Sequence, residues 1–111
     1  MEEIWQKIIN FNDKYFPMWR GTPLVYYSNA LAGEVGELCN LVKHALGGGT
    51  NKSKLFKVEP EDFALEVSDI LIYLVIFLEC AGITKEKFKE IFNRKMRINE
   101  IRMNETKEGL I

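Results

Sequence analysis

Four acidic residues stand in two pairs whose spacing could bring their carboxylates together. Glu34 and Glu37 are three residues apart, and so are Glu66 and Asp69. Residues three apart lie on one face of a helix, so each pair would present two carboxylates on the same side. Like charges at this spacing destabilise an isolated helix, so two such pairs need a compensating partner. Hard divalent cations bind carboxylate oxygens, and the pattern therefore predicts a magnesium-type site.

A second interpretation of the same spacing is two solvated helix faces whose acids pair with lysines. The residue types near the acids narrow the choice of metal. The only histidine, His44, follows Leu41 rather than a glutamate by three residues, so neither a zinc site nor a Glu-x-x-His di-iron bundle is predicted.

Two glycines, Gly33 and Gly36, each stand immediately before one of the first two glutamates. Glycine inside a helix costs about 1 kcal/mol relative to alanine. Two glycines within one turn therefore indicate that something approaches the backbone closely, either another helix or a ligand.

Proline and glycine divide the chain into segments with helical periodicity, and no segment alternates as a strand would. Pro60 with acids behind it is typical of a helix start, and Gly82 is typical of a helix end. The triplet Gly47–Gly49 ends the second segment, and a polar loop follows it. The sequence predicts one all-α domain over residues 1–111, a four-helix bundle with helices at about 2–15, 23–46, 60–80 and 85–104.

The positions of the acids along these helices matter for whether they meet. The first pair lies roughly 14–18 Å, and the second roughly 9–14 Å, from the loop end shared by helices 2 and 3, at a rise of ~1.5 Å per residue. If the two helices pack antiparallel, all four carboxylates lie at nearly one level.

Composition excludes several classes of protein. The chain has 111 residues with 15 basic and 16 acidic side chains, which argues against a strongly basic surface and a stable nucleic-acid partner. The longest apolar run, Ile70 to Leu78, is far shorter than the ~20 residues of a membrane span, so we expect a cytoplasmic protein. Because helix 3 is apolar on all sides there, we also expect oligomerisation, the alternative being a well-wrapped central helix.

The acidic pairs lie in recognisable surroundings. The stretches AGEVGEL at 32–38 and EVSDILIY at 66–73 resemble the MazG-like superfamily of all-α nucleoside triphosphate pyrophosphohydrolases, whose pattern is ExxE, a spacer and ExxD. The later segment 95–102 is similar to the Lys-x-x-x-Asn-x-x-Arg segment of that family, and NLVK at 40–43 to the stretch after its first acidic pair. The spacer, residues 38–65, is near the long end of the family range.

The resemblance implies a reaction and a cofactor. Glu34, Glu37, Glu66 and Asp69 would hold Mg²⁺, for which Mn²⁺ can substitute, at the triphosphate, and one of them, Glu34 or Glu37, would orient water as a base. A (deoxy)nucleoside triphosphate would be cleaved to the monophosphate and pyrophosphate, in a house-cleaning role, by a homodimer or homotetramer. The alternatives are a phosphoribosyl-ATP pyrophosphatase and a non-catalytic helical module for oligomerisation or regulation.

Cationic groups for the phosphates are expected on helix 4, where residues 85–102 hold seven basic and three acidic side chains. Lys95, Asn99 and Arg102 share one face, and we expect this face to contact triphosphate oxygens or the sugar; the alternative is a solvated basic face. Lys43 is a further phosphate candidate.

Two aromatic residues are candidates for contact with the nucleoside. By resemblance, Tyr73 would lie near the sugar or base, and Trp19 would stack on the base. Both have an equally simple alternative, which is packing in the hydrophobic core.

Overall fold

A computed structural model describes residues 2–46 and 57–107 of the chain. Within them the structure is all-helical and contains no strand, which confirms the all-α prediction. The four long helices are α1 (Glu2–Tyr15), α2 (Leu24–Ala45), α3 (Pro60–Cys80) and α4 (Lys85–Lys107), with a short 3-10 helix (Trp19–Gly21) between α1 and α2. The predicted glycine-rich end of helix 2 lies outside the described residues.

The ends of α3 follow the predicted signals. Pro60 occupies the first turn, and the Asp62 carboxylate accepts a hydrogen bond from the backbone N–H of Glu59 at 2.9 Å. At the other end Gly82 has φ +87°, a left-handed conformation that glycine adopts without strain. Thr84 then caps α4, since its hydroxyl accepts the N–H of Lys87 at 3.2 Å.

Two helix boundaries differ from the prediction. α2 begins at Leu24 rather than at Pro23, because Pro23 has the extended ψ of 141° and serves as the cap residue. α4 continues to Lys107 rather than ending near 104, since nothing in the sequence there breaks a helix.

The core joins α1, the 3-10 helix, α2 and α3. Its buried side chains are Trp5, Ile8, Ile9, Trp19, Tyr27, Val75 and Ile76. Polar links run through Glu79, whose carboxylate accepts the Trp5 indole N–H at 2.7 Å and pairs with Arg20 at 3.2 Å. The Tyr27 hydroxyl donates to the backbone oxygen of Trp19 at 2.8 Å. These bonds fix α1 and the start of α2 against the C-terminal half of α3.

Helices α2 and α3 run antiparallel. Tyr27, early in α2, shares the core with Val75 and Ile76, late in α3. Farther along α2, Glu34 and Glu37 lie beside Glu66, early in α3. This arrangement is the one that brings the two acidic pairs to one level.

Helix α4 departs from a closed bundle. It leaves α3 at a bend of 107°, and its first turns contact α1, where the Phe88 ring lies 5.6 Å from that of Trp5. Beyond those turns its apolar side chains are exposed: Phe92, Met96, Ile98, Ile101 and Met103. The chain is correspondingly extended, with a radius of gyration of 18.4 Å against about 13 Å for a compact domain of this length.

The apolar run of α3 is only partly covered. Val75 and Ile76 are buried, whereas Ile72 and Leu74 are 37% and 42% exposed. A single chain therefore does not cover α3 on all sides, as the alternative to oligomerisation, a well-wrapped central helix, required. None of the described helices is by itself long and apolar enough to cross a membrane; α3 and α4 meet that test of length and composition only as a bent pair.

Candidate metal centre

Three of the four carboxylates predicted to converge do so. Oxygens of Glu34, Glu37 and Glu66 all lie within 4.8 Å of one another, with Glu34 and Glu66 half-buried and Glu37 exposed. The first two come from α2 and the third from α3, so the antiparallel packing of these helices builds the cluster. Asp69, one turn after Glu66, lies close enough for its charge to act on both Glu34 and Glu66.

Two oxygens in the cluster are buried and have no partner among the described residues: Oε2 of Glu34 and Oε2 of Glu66. Buried acceptors are almost always paired in folded proteins, and either a proton shared with a neighbouring carboxylate or a cation would satisfy these two oxygens. No described lysine or arginine forms an ion pair with any of the four acids, so the alternative of lysine-paired faces is not what forms.

The electrostatics of the cluster follow from its geometry. Burial, followed by repulsion from Glu37, Asp69 and Glu66, raises the pKa of Glu34 above its ordinary value. Burial, followed by repulsion from Glu37 and Asp69, raises the pKa of Glu66 in the same way. The charged forms of both groups are therefore disfavoured until a positive charge is supplied.

A hard divalent cation fits this donor set. Three carboxylates on two helices offer only oxygen ligands, which suits Mg²⁺, Mn²⁺ or Ca²⁺ and not a metal that prefers nitrogen or sulfur. Their oxygens lie within 4.8 Å of one another, so small side-chain rotations would bring all three onto one cation. The remaining positions would be open to water and to a ligand.

A cavity adjoins the cluster. It has a volume of about 700 Å³, and Glu34 and Asp69 both line it. Tyr73, half-buried one turn after Asp69, lines the cavity and also packs against the hydrophobic core, and its contact with a nucleoside stays a prediction. Burial, with the neighbouring Tyr26 hydroxyl, raises the pKa of Tyr73, which keeps its hydroxyl neutral as a hydrogen-bond donor.

The space beside the two helix glycines is open. A Cβ atom added at Gly33 or at Gly36 would meet nothing within 4 Å among the described residues. No described part of this chain therefore packs closely against these two glycines. The close approach of another helix or of a ligand stays a prediction.

The predicted cationic face does not reach the acids within one chain. Lys95, Asn99 and Arg102 begin ten residues into α4, about 15 Å beyond the bend, and do not line the cavity. Lys43 is exposed near the end of α2, about 9 Å along the axis beyond Glu37, and does not line the cavity either.

Trp19 lies in the core. It is 4% exposed, its indole N–H donates to Asp13 at 2.8 Å, and the guanidinium of Arg20 covers its ring at 4.3 Å. The structure therefore places Trp19 in the hydrophobic core, which is one of its two predicted positions, and away from the cavity.

Sequence reasoning missed the contribution of α1 to this region. Lys7, Phe11, Asn12 and Phe16 line the cavity, and Asn12 is buried. One signal was present: Asn12 falls on the apolar stripe of α1, four residues after Ile8, where a polar residue is unexpected.

The comparisons with known proteins give no match: no protein-family model, no curated protein and no solved structure matches the chain. The assignment of a function therefore rests on the residues and geometry described above.

Proposed function

We propose that the protein is a Mg²⁺-dependent pyrophosphohydrolase that cleaves a (deoxy)nucleoside triphosphate to the monophosphate and pyrophosphate, in a house-cleaning role. One observation carries the proposal: three carboxylates from α2 and α3 lie within 4.8 Å, with two buried oxygens unpartnered. The resemblance of the sequence around these acids to MazG-like enzymes supports the same chemistry.

Each acid has a role in the proposal. Glu34, Glu66 and Asp69 would hold the metal together with Glu37, and Glu37, the exposed member of the cluster, would also orient the attacking water through its second oxygen. Bound Mg²⁺ would neutralise phosphate charge and lower the pKa of water. Because phosphoryl chemistry depends mainly on positioning and charge stabilisation, rigid helices are suitable supports for these groups.

The proposal includes a second copy of the chain. The exposed apolar side chains of α4, such as Phe92 and Met96, lie among its basic residues. Packing of α4 against a partner would bury the former and deliver Lys95, Asn99 and Arg102 to the acidic cluster of that partner, in a homodimer or homotetramer.

The experiment is a screen of the purified protein with canonical and modified triphosphates plus Mg²⁺, read as pyrophosphate release. We expect release from at least one triphosphate, and its loss in Glu37→Gln. Glu61→Gln is the matched control, since Glu61 is an exposed acid of α3 outside the cluster. No release from any triphosphate would overturn the proposal.

A further inference from the structure

The cavity beside the acidic cluster has a largely aromatic wall. It lies between α1, α2 and α3, and its volume of about 700 Å³ is in the range of small-molecule sites. Five aromatic side chains form much of its wall: Phe11, Phe16, Tyr26, Tyr27 and Tyr73. Aromatic walls bind bases by stacking, because every nucleobase has a π face.

One polar group in this wall is unsatisfied. Asn12 is only 6% exposed and lines the cavity, yet its Nδ2 donates no hydrogen bond to any described residue. A buried amide donor without an acceptor is rare in folded proteins and calls for a specific explanation. The surrounding wall is largely apolar, and a ligand in the cavity that carries an acceptor would pair with this amide.

The cavity and the cluster are continuous. Glu34 and Asp69, two of the four acids, line the cavity wall, so a ligand could place one end among the aromatics and the other at the carboxylates. A nucleotide has this arrangement, with an uncharged heterocycle at one end and phosphates that require a cation at the other.

We infer that the cavity is the base subsite of this protein and that Asn12 determines base specificity by hydrogen bonding to the base edge. The phosphate end of this assignment rests on the proposed function. The amide offers one donor and one acceptor, which complement a base edge with an acceptor next to a donor, as in N7 and N6 of adenine. The substrate class is therefore nucleotides whose base has such an edge. A base that lacks the exocyclic amino group of this edge, such as N6 of adenine, binds poorly.

A second copy of the chain is the competing occupant. Its apolar side chains would fill the aromatic part of the cavity, but an apolar side chain has no acceptor for the Asn12 donor. A base satisfies both features at once, because it stacks on the rings and accepts from the amide.

The test is nucleoside binding measured by NMR in EDTA, without metal or phosphates. The probes are matched pairs that differ only in the exocyclic group: adenosine with purine riboside, and cytidine with 2-pyrimidinone riboside. We expect a natural nucleoside to shift the side-chain amide signal of Asn12 and to bind about 10- to 100-fold more tightly than its stripped partner. Asn12→Leu should abolish this discrimination, and Asn10→Leu, on an exposed position of the same helix, should leave it unchanged.

Each outcome decides the matter. The inference is overturned if Asn12→Leu discriminates between the paired nucleosides as the unaltered protein does, or if the unaltered protein binds no nucleoside. If Asn12→Leu changes the oligomeric state and not nucleoside binding, a second copy of the chain is the occupant. If Asn12→Leu fails to fold, Asn12→Ala gives the same readout. Nucleoside binding through Asn12 without pyrophosphate release would retain the base subsite and remove the proposed activity, whereas the reverse result would remove only the inference.

Discussion

The carboxylates of Glu34 on α2 and Glu66 on α3 lie within 4.8 Å of each other, and each has one buried oxygen without a hydrogen-bond partner. The two helices are held in this register by the core around Tyr27 and Val75, two turns away on each helix. The fold therefore keeps two repelling groups together, and a bound cation would relieve that repulsion.

The first prediction concerns cation binding in the absence of substrate. Mg²⁺ should raise the melting temperature, because it binds the folded cluster and not the unfolded chain; at 100 times its Kd the stabilisation is about 2.7 kcal/mol. Glu66→Gln should lose most of this shift, and Glu61→Gln should keep it. A shift of equal size in the Glu34→Gln, Glu66→Gln double variant would place the cation elsewhere.

The second prediction is a pH dependence of the metal-free protein. Because the pKa of Glu34 and that of Glu66 are raised in the folded state, the folded chain binds more protons than the unfolded chain at pH values above 4.5. These two groups therefore destabilise the protein progressively as pH rises from 4.5 through their raised pKa values, and they have no such effect below 4.5.

Thermal melts in EDTA across this range would measure the effect. The readout is the difference between the unaltered protein and Glu66→Gln, since the other carboxyl groups are common to both. The variant should gain relative stability as pH rises, and Mg²⁺ should remove that gain. A difference independent of pH would show that the surroundings of Glu34 and Glu66 do not raise their pKa values.

The third prediction concerns Gly33. Gly33→Ala should raise the free energy of unfolding by about 0.5–1 kcal/mol, because alanine favours the helix and the added Cβ meets nothing within 4 Å. Urea denaturation measures the change. Ala32→Gly, at the preceding exposed position, is the reciprocal control and should destabilise by a similar amount. Destabilisation by Gly33→Ala would show that a second copy fills this space in solution.

The fourth prediction pairs stability with binding at Asn12. Asn12→Leu removes a buried donor without a partner, so the ligand-free protein should become more stable by about 1 kcal/mol. A nucleotide that satisfies the donor stabilises only the unaltered protein. Without ligand the variant should therefore have the higher melting temperature, and with ligand the unaltered protein should have it. A ligand-free variant less stable than the unaltered protein would indicate that Asn12 has a structural partner.

The fifth prediction tests delivery of α4 to a partner. Glu37→Gln and Arg102→Ala should each be inactive alone, since the first lacks an acid and the second a phosphate contact. A heterodimer of the two variants would contain one intact site and one site that lacks both residues. About half of the dimers in an equimolar mixture are heterodimers after subunit exchange, so the mixture should recover roughly a quarter of the unaltered activity. Absence of recovery, with exchange verified by mass, would show that both residues serve the same chain.

Much of the fold was predictable because local signals marked it. Pro60 and Gly82 determine the ends of α3 through the fixed φ of one and the left-handed φ of the other. The distances of the acids from the loop between helices 2 and 3 predicted that Glu34 and Glu66 lie at one level, provided that the two helices pack antiparallel.

Other features were beyond local reasoning. The direction of α4 depends on the turn between Ala81 and Thr84 and on the packing of Phe88 against Trp5, which is a contact between distant parts of the chain. The cavity was not predicted for the same reason, because α1, which supplies much of its wall, is distant from α2 and α3 along the chain. Asn12 stood out only as a polar residue on an apolar stripe, and its missing partner is visible only in three dimensions.

The central claim is metal-dependent cleavage between the α and β phosphates at the cluster of Glu34, Glu37 and Glu66. The most direct measurement is ³¹P NMR of the best triphosphate from the screen, incubated with the protein and Mg²⁺. The account predicts paired resonances of the nucleoside monophosphate and pyrophosphate, absent in EDTA and in Glu37→Gln and present in Glu61→Gln. Orthophosphate with a nucleoside diphosphate, or the same products from Glu37→Gln, would contradict it.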